Sequence, residues 1–185
     1  INKYKKYYKD INHKLSIFFS KKELLKVIKK KKFKAITALS VFYDLKNPNQ
    51  FLNDISQIIE PKKGIFVLEH TDLLSIIKYN LFDTICHEHL AYYSAKVIMK
   101  MISANNLKVF DISRNEINGG STRFYVCHKN SEYIVKKNKI SSIIKYEERF
   151  KLDKKKTYVN FFKKILNINK KLNYKLKKIK MSGKT

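Results

Sequence analysis

The chain has 185 residues and a mass of 22.0 kDa, room for one compact domain and too little for two ordinary ones. Its 44% hydrophobic content excludes wholesale disorder, and no apolar run approaches the roughly 20 residues needed to span a bilayer. Forty-one basic against 15 acidic residues give a net charge of +26, and two cysteines, Cys86 and Cys127, exclude a disulfide scaffold.

Residues 1–13 are polar and aromatic-rich and define no element. Leu15–Phe19 is a short apolar run that reads as a buried strand. Ser20 then stands as an N-cap with Glu23 three positions on, and Leu24, Leu25, Val27 and Ile28 follow at helical spacing. Phe33–Ser40 reads as a second buried strand. Asn47-Pro48 opens a helix whose stripe is Phe51, Leu52, Ile55, Ile58 and Ile59. Pro61-Lys62-Lys63-Gly64 is a turn, and Ile65–Glu69 a third strand.

Strand, helix, strand, helix, strand at this spacing predicts right-handed crossover units in a parallel sheet. Ser94–Ser103 reads as a helix. Leu107–Ile112 and Thr122–His128 read as strands joined in a hairpin-like way, so the sheet gains antiparallel partners at one edge. In the tail, Phe161, Ile165, Ile168, Leu172, Leu176 and Ile179 recur at steps of three and four, which predicts a long amphipathic helix with a lysine-rich outer face. Such a helix needs something to pack on.

The charge argues less for nucleic acid than its size implies. All basic residues but Arg114, Arg123 and Arg149 are lysine, whereas dedicated nucleic-acid binders lean on arginine for bidentate contacts. Lysine rises here together with Ile, Asn, Tyr and Phe, all served by A/T-rich codons, and the lysines lie on nearly every segment. Coding bias accounts for that pattern without a ligand.

Two stretches could carry chemistry. Cys86-His87-Glu88-His89 follows the third strand, near the end of the sheet where open α/β folds place ligands. Imidazole titrates near neutrality and a neighbouring carboxylate can orient it, so the cluster suits proton transfer. In an extended segment His87 and His89 share a face and Glu88 points away. A polar surface loop is the plain alternative. Asn118-Gly119-Gly120-Ser121 holds the one glycine pair, which permits positive φ and close approach to a ligand, with Ser121 and Arg123 adding polar groups. A simple hairpin turn is the alternative there. A zinc-protease helix is excluded because Ala91 stands where its second histidine belongs. Cys86, His89, Cys127 and His128 match no common zinc spacing, so no metal site is assigned.

The residues around these stretches resemble the class I S-adenosylmethionine-dependent methyltransferases. Thr37-Ala38-Leu39-Ser40, Tyr43-Asp44-Leu45-Lys46-Asn47-Pro48 and Ile65-Phe66-Val67-Leu68-Glu69 match the latter half of that fold. Phe82 to Ser94, with Asn118 to Ser121, more specifically resembles the deoxysugar C-methyltransferases, which methylate carbon 3 of a nucleotide-linked 4-keto sugar. The resemblance implies a partial Rossmann-like α/β sheet, parallel strands plus antiparallel edge strands, with a C-terminal amphipathic helix. It implies S-adenosylmethionine as cofactor, near Leu39, Ser40 and Tyr43, and a nucleotide-sugar substrate. His89 is the implied general base and Glu88 assists at the enolate or orients the sugar. His87 and Tyr92 shape the pocket, and Asn118, Gly119, Ser121 and Arg123 lie near substrate.

The glycine-rich cofactor loop, the acidic end of the second strand and the family's N-terminal zinc-binding cysteines have no counterpart here. The chain is therefore expected to be an internal fragment of a cytoplasmic enzyme, with zinc confined to the missing N-terminal part. Residues 1–130 are expected to form the partial methyltransferase domain and 131–185 a helical segment leading toward a C-terminal domain. Alone, the fragment is expected to be inactive. The rival functions are a non-catalytic remnant or interaction domain and, further off, a basic nucleic-acid-binding module.

Overall fold

The computed structural model describes residues 7, 11, 13, 15–29 and 32–183, so most of the polar stretch 1–13 lies outside the described residues. Helix α1 (Lys21–Val27) starts where expected, with the Ser20 hydroxyl accepting from the Glu23 amide at 3.2 Å. Strand β1 (Ala35–Leu39) leads through α2 (Pro48–Ile58) to β2 (Ile65–Thr71), and the pair is parallel with Ala38 opposite Leu68. The Asn47 side chain caps α2, and Pro48 fills its first turn, where a missing amide costs nothing.

From β2 the chain runs through two helices, α3 (Leu73–Tyr79) and α4 (Ala95–Ala104), into the hairpin of β3 (Leu107–Asn115) and β4 (Ser121–His128). β4 inserts beside β2, antiparallel to it, and β3 lies outermost, giving the order β1-β2-β4-β3. Helices α5 (Lys137–Glu148) and α6 (Lys155–Met181) complete the chain. The architecture is mixed α/β with an open four-stranded sheet and a C-terminal amphipathic helix, as the sequence implies.

Alternation along the strands puts Ala38, Phe66, Leu68, Ile112, Phe124 and Val126 on one face, where Leu52 and Ile55 of α2 and Ile98 and Ile102 of α4 cover them. Burying a side chain of this size is worth about 1.5–3 kcal/mol, so this face dominates the stability of the sheet. Helix α5 joins the same core through Ile140, Ile143 and Ile144.

Two expectations need correction. Leu15–Phe19 is not a strand: Phe18 is 99% exposed, and Phe19 instead meets Phe51 edge-on at 5.2 Å, anchoring the entry to α1. Among the described residues the parallel part of the sheet therefore has two strands rather than three. β1 is an edge strand with Thr37 and Leu39 exposed, not a buried one, because nothing described covers its second face. Helix α3, over the apolar Leu73–Ile77 run, is an element to which the sequence assigns no structure. Asp72 caps it by accepting from the Ser75 amide at 2.7 Å, a start signal that the short run obscures.

The stripe on α6 is present, with Phe161 and Ile165 partly buried and its C-terminal half left open among the described residues. Leu172, Leu176 and Ile179 are each about half exposed, and none of the helix's residues is buried.

Candidate active site

The carboxyl ends of β1 and β2 face a loop that joins α3 to α4. Asn80 ends α3 in the left-handed region (φ 56°), the region a short polar side chain tolerates best, and the chain then makes a 3-10 turn over Phe82–Thr84. The His89 amide donates to the Cys86 carbonyl at 3.3 Å, so residues 86–89 close a turn. The extended reading of this segment is thus overturned. His87 and Glu88 occupy the exposed corner, and His89, half-buried, points back into the protein. The cause is tertiary: the Leu90 and Ala91 amides both donate to the Tyr43 carbonyl, at 2.9 and 3.2 Å, and pull the chain round.

His89 is held on three sides. Its Nδ1 lies 2.7 Å from the Thr84 carbonyl oxygen, its ring is 4.3 Å from the Tyr43 ring, and Tyr92 meets it at 6.1 Å and 66°. A carbonyl only accepts, so Nδ1 carries the proton and Nε2 of the neutral ring carries the lone pair. The Tyr92 hydroxyl donates to the same carbonyl at 3.4 Å, and desolvation pushes its phenol up, keeping it protonated. Asp44 follows Tyr43. Desolvation raises its carboxyl, with His89 acting in the lowering sense and Glu88 in the raising one.

Leu39 and Ser40 lie at the end of β1. Leu39 is 50% exposed; Ser40 takes a left-handed conformation (φ 54°) while its amide donates to the Glu69 carbonyl at 2.9 Å. Tyr43 is nearly buried. The fold thus brings together Tyr43, His89 and Tyr92, with Leu39 and Ser40 on the strand end that leads to Tyr43, and leaves His87 and Glu88 exposed at the corner of the turn.

Asn118, Gly119, Ser121 and Arg123 lie on the β3–β4 hairpin, whose Ser121 pairs with Thr71 at the carboxyl end of β2. Asn118 is exposed in the left-handed region (φ 54°). A Cβ on Gly119 (φ 79°) would come within 2.6 Å of Leu81, and one on Gly120 (φ 136°) would strike Ser75. The glycine pair therefore lets the hairpin sit directly on α3 and the start of the active loop. Ser121 is buried and its hydroxyl donates to the Ile117 carbonyl at 2.9 Å. Arg123 donates through Nε to Glu69 at 2.5 Å, and Asn115 bonds the same Glu69 oxygen at 3.0 Å.

The sequence reading missed the parts that hold this arrangement. Asp72, 1% exposed, accepts from Ser75 N, from Thr122 Oγ1 at 2.8 Å and from Arg114 Nη2 at 3.0 and 3.2 Å. Arg114 also donates to the Ser75 hydroxyl at 2.8 Å. His70, fully buried, stacks on Phe124 at 5.8 Å and meets Tyr93 edge-on. Its Nδ1 lies 2.8 Å from the Thr71 carbonyl, and its Nε2 has no hydrogen-bond partner among the described residues. Burial pushes its imidazole down.

Among the described residues no group of three His, Cys, Asp or Glu is placed to hold a metal ion, and no helix is long and apolar enough to cross a membrane. For an adenosyl cofactor the fit is partial. Leu39, Val41 and the Tyr43 ring offer apolar and aromatic surface at the β1 end, but the four glycines of the chain include no Gly-x-Gly turn to approach a carboxylate or ribose.

Comparison with known proteins completes the description. Residues 116–185 match the family described as the C-methyltransferase C-terminal domain. The C-methyltransferase NovU of Streptomyces niveus is 32% identical over 80 residues, 43% of this chain and 19% of NovU, so the match spans about a fifth of that relative. Among solved structures, magnesium protoporphyrin IX methyltransferase from Synechocystis with bound SAH is 9% identical, with TM-score 0.42 over 52% of this chain and 45% of that one. An S-adenosylmethionine-dependent methyltransferase from Clostridium acetobutylicum is 13% identical, with TM-score 0.40 over 53% and 59%. Over residues 116–185 the chain is thus similar to the C-terminal domain of C-methyltransferases.

Proposed function

We propose that the chain is part of an S-adenosylmethionine-dependent C-methyltransferase that acts on a nucleotide-linked 4-keto deoxysugar, and that by itself it is an incomplete fragment of that enzyme. The observation that carries the reading is the pinned His89 ring, whose Thr84 contact leaves Nε2 as the basic nitrogen beside Tyr43 and Tyr92. The likeness to NovU, a C-methyltransferase, supports methyl transfer to carbon.

The chemistry requires a carbon nucleophile. His89 Nε2 removes the proton from the carbon beside the ketone, and the electron pair of that C–H bond moves toward the ketone oxygen. Glu88, at the exposed corner of the turn, offsets the positive charge that the ring acquires. Tyr92, whose hydroxyl donates to the Thr84 carbonyl, shapes the pocket beside the His89 ring. The cofactor, when bound, supplies an electrophilic methyl on a sulfonium. Leu39, Ser40 and Tyr43 are the residues of this chain that would hold its side of the site.

In the intact enzyme His89→Ala lowers exchange of solvent deuterium into the carbon beside the ketone by about 10²–10⁴-fold, the usual share of a general base. Exchange at the wild-type rate removes His89 from that role.

A further inference from the structure

We propose that Glu147 is a positioning residue for His89: from the last turn of α5 it fastens the stem by which the active loop leaves, and so keeps the ring bonded to Thr84. This rests on the reading of His89 as the base.

The active loop hangs between two stems, the last turn of α3 and the first turn of α4. Both stems meet one turn of α5. Glu147, 5% exposed, accepts from the Ala95 amide through Oε1 at 2.7 Å and from the Lys96 amide through Oε2 at 3.1 Å. The Ser94 hydroxyl accepts from the Val97 amide at 3.3 Å, so the first three amides of α4 are satisfied, two of them from another helix. At the other stem the Lys78 ammonium donates to the Tyr146 hydroxyl at 2.9 Å. Arg114, whose guanidinium lies 5.9 Å from the Tyr146 ring, pairs with the Asp72 that caps α3. The Lys96–Glu148 pair beside them is exposed and contributes little.

The His89 contact spans these stems. Thr84 stands on the entry side of the loop, and its carbonyl accepts from His89 Nδ1 and from the Tyr92 hydroxyl, both on the exit side. The bond that fixes the tautomer therefore depends on how the two sides sit against each other. Backbone bonds also tie the exit side, from Leu90 and Ala91 to the Tyr43 carbonyl and from the Leu73 amide to the Tyr93 carbonyl, but none of these reaches α4. Glu147 does. Without its carboxylate two amides at the buried start of α4 lose their acceptors, and the helix end relieves them by moving toward water. That movement draws Tyr92 and His89 away from Thr84 and frees the ring to carry its proton on Nε2, where it is no base.

The test reads the position of that proton. Long-range proton–nitrogen NMR correlations of His89 in the chain, at about pH 8, above the ordinary imidazole range, distinguish the two neutral tautomers. The wild type shows the Nδ1–H form. Glu147→Ala shifts a large share of the ring to the Nε2–H form, and Glu147→Gln, which keeps a carbonyl for one of the two amides, shifts a smaller share. In the intact enzyme the same variants slow solvent-deuterium exchange in that order, about tenfold for Glu147→Ala with the KM for nucleotide sugar unchanged, because only rings with a free Nε2 act. Urea unfolding of each variant separates positioning from stability. A Glu147→Ala chain that is less stable yet keeps the Nδ1–H signature and the wild-type exchange rate makes Glu147 a helix cap alone and overturns the proposal. Where Glu147→Ala does not fold, an unmoved tautomer in Glu147→Gln overturns it equally. If the tautomer moves but His89→Ala exchanges normally, the base reading has failed, and the role given to Glu147 in the reaction falls with it.

Discussion

Removing the Asp72 carboxylate tests whether the active loop depends on the polar cluster beneath it. Asp72 caps α3 and takes hydrogen bonds from Thr122, itself 2% exposed, and from Arg114, whose side chain is 25% exposed. Losing the cap costs about 1 kcal/mol. Stranding a buried hydroxyl costs about 1–3 kcal/mol, and breaking a buried ion pair from one side about 3–5 kcal/mol. These terms share the same groups and do not add, and Arg114 retains some solvent, so Asp72→Ala should lose about 3–4 kcal/mol. That is a large part of the roughly 5–15 kcal/mol typical of a domain. Asp72→Asn keeps the cap and should lose about 2 kcal/mol. Urea unfolding at neutral pH reads both as shifts of the midpoint with the slope constant. A loss below about 1 kcal/mol for Asp72→Ala would refute the reasoning, because the carboxylate would then be replaceable by water.

Further outcomes are expected. His70 has a folded pKa below its ordinary value because burial disfavours the charged ring, so the unfolded chain binds protons first and stability falls as pH drops below about 6.5. His70→Phe should flatten that part of the stability curve, and an unchanged slope contradicts the assignment. Desolvation works against the Asp111 carboxylate, but hydrogen bonds from Lys136 and Lys139 prevail and hold it at about 2. Its folded pKa is depressed, so its contribution is complete above about pH 4 and is lost as pH falls toward 2. Acid titration of Asp111→Asn should lack that component. With no Gly-x-Gly turn, the chain alone should give no calorimetric binding of S-adenosylmethionine; micromolar affinity would show that the strand end suffices.

The elements that could be read from sequence are those whose signals are local. Ser20, Asn47 and Ser94 each cap the helix they precede, and the apolar stripe of α2 lies against the sheet. Failures occurred where distant groups decide. Leu15–Phe19 has the composition of a strand, but Phe19 finds Phe51 and Phe18 finds solvent. Cys86–His89 contains no glycine or proline to announce a turn, and the Tyr43 carbonyl imposes it from 47 residues away. The anchor of His89 is likewise a backbone oxygen, that of Thr84, which no reading of side chains reveals. The pairing of Asp72 with Arg114 depends on β4 lying between β2 and β3, a matter of sheet order. Gly119-Gly120 was visible as a special place, and the structure adds what crowds it: Leu81 and Ser75.

The outer edge of β1 carries backbone amides and carbonyls that no described strand pairs with, and Leu39 and Val41 stand exposed at its end. Such an edge is a template on which a stray strand can assemble. Mutual repulsion at +26 opposes such pairing between copies of the chain, and it reaches only as far as a Debye length, about 10 Å at 0.1 M salt. The same lysines that look like a ligand-binding device thus act as a colloidal safeguard for an open sheet edge, one that concentrated electrolyte switches off.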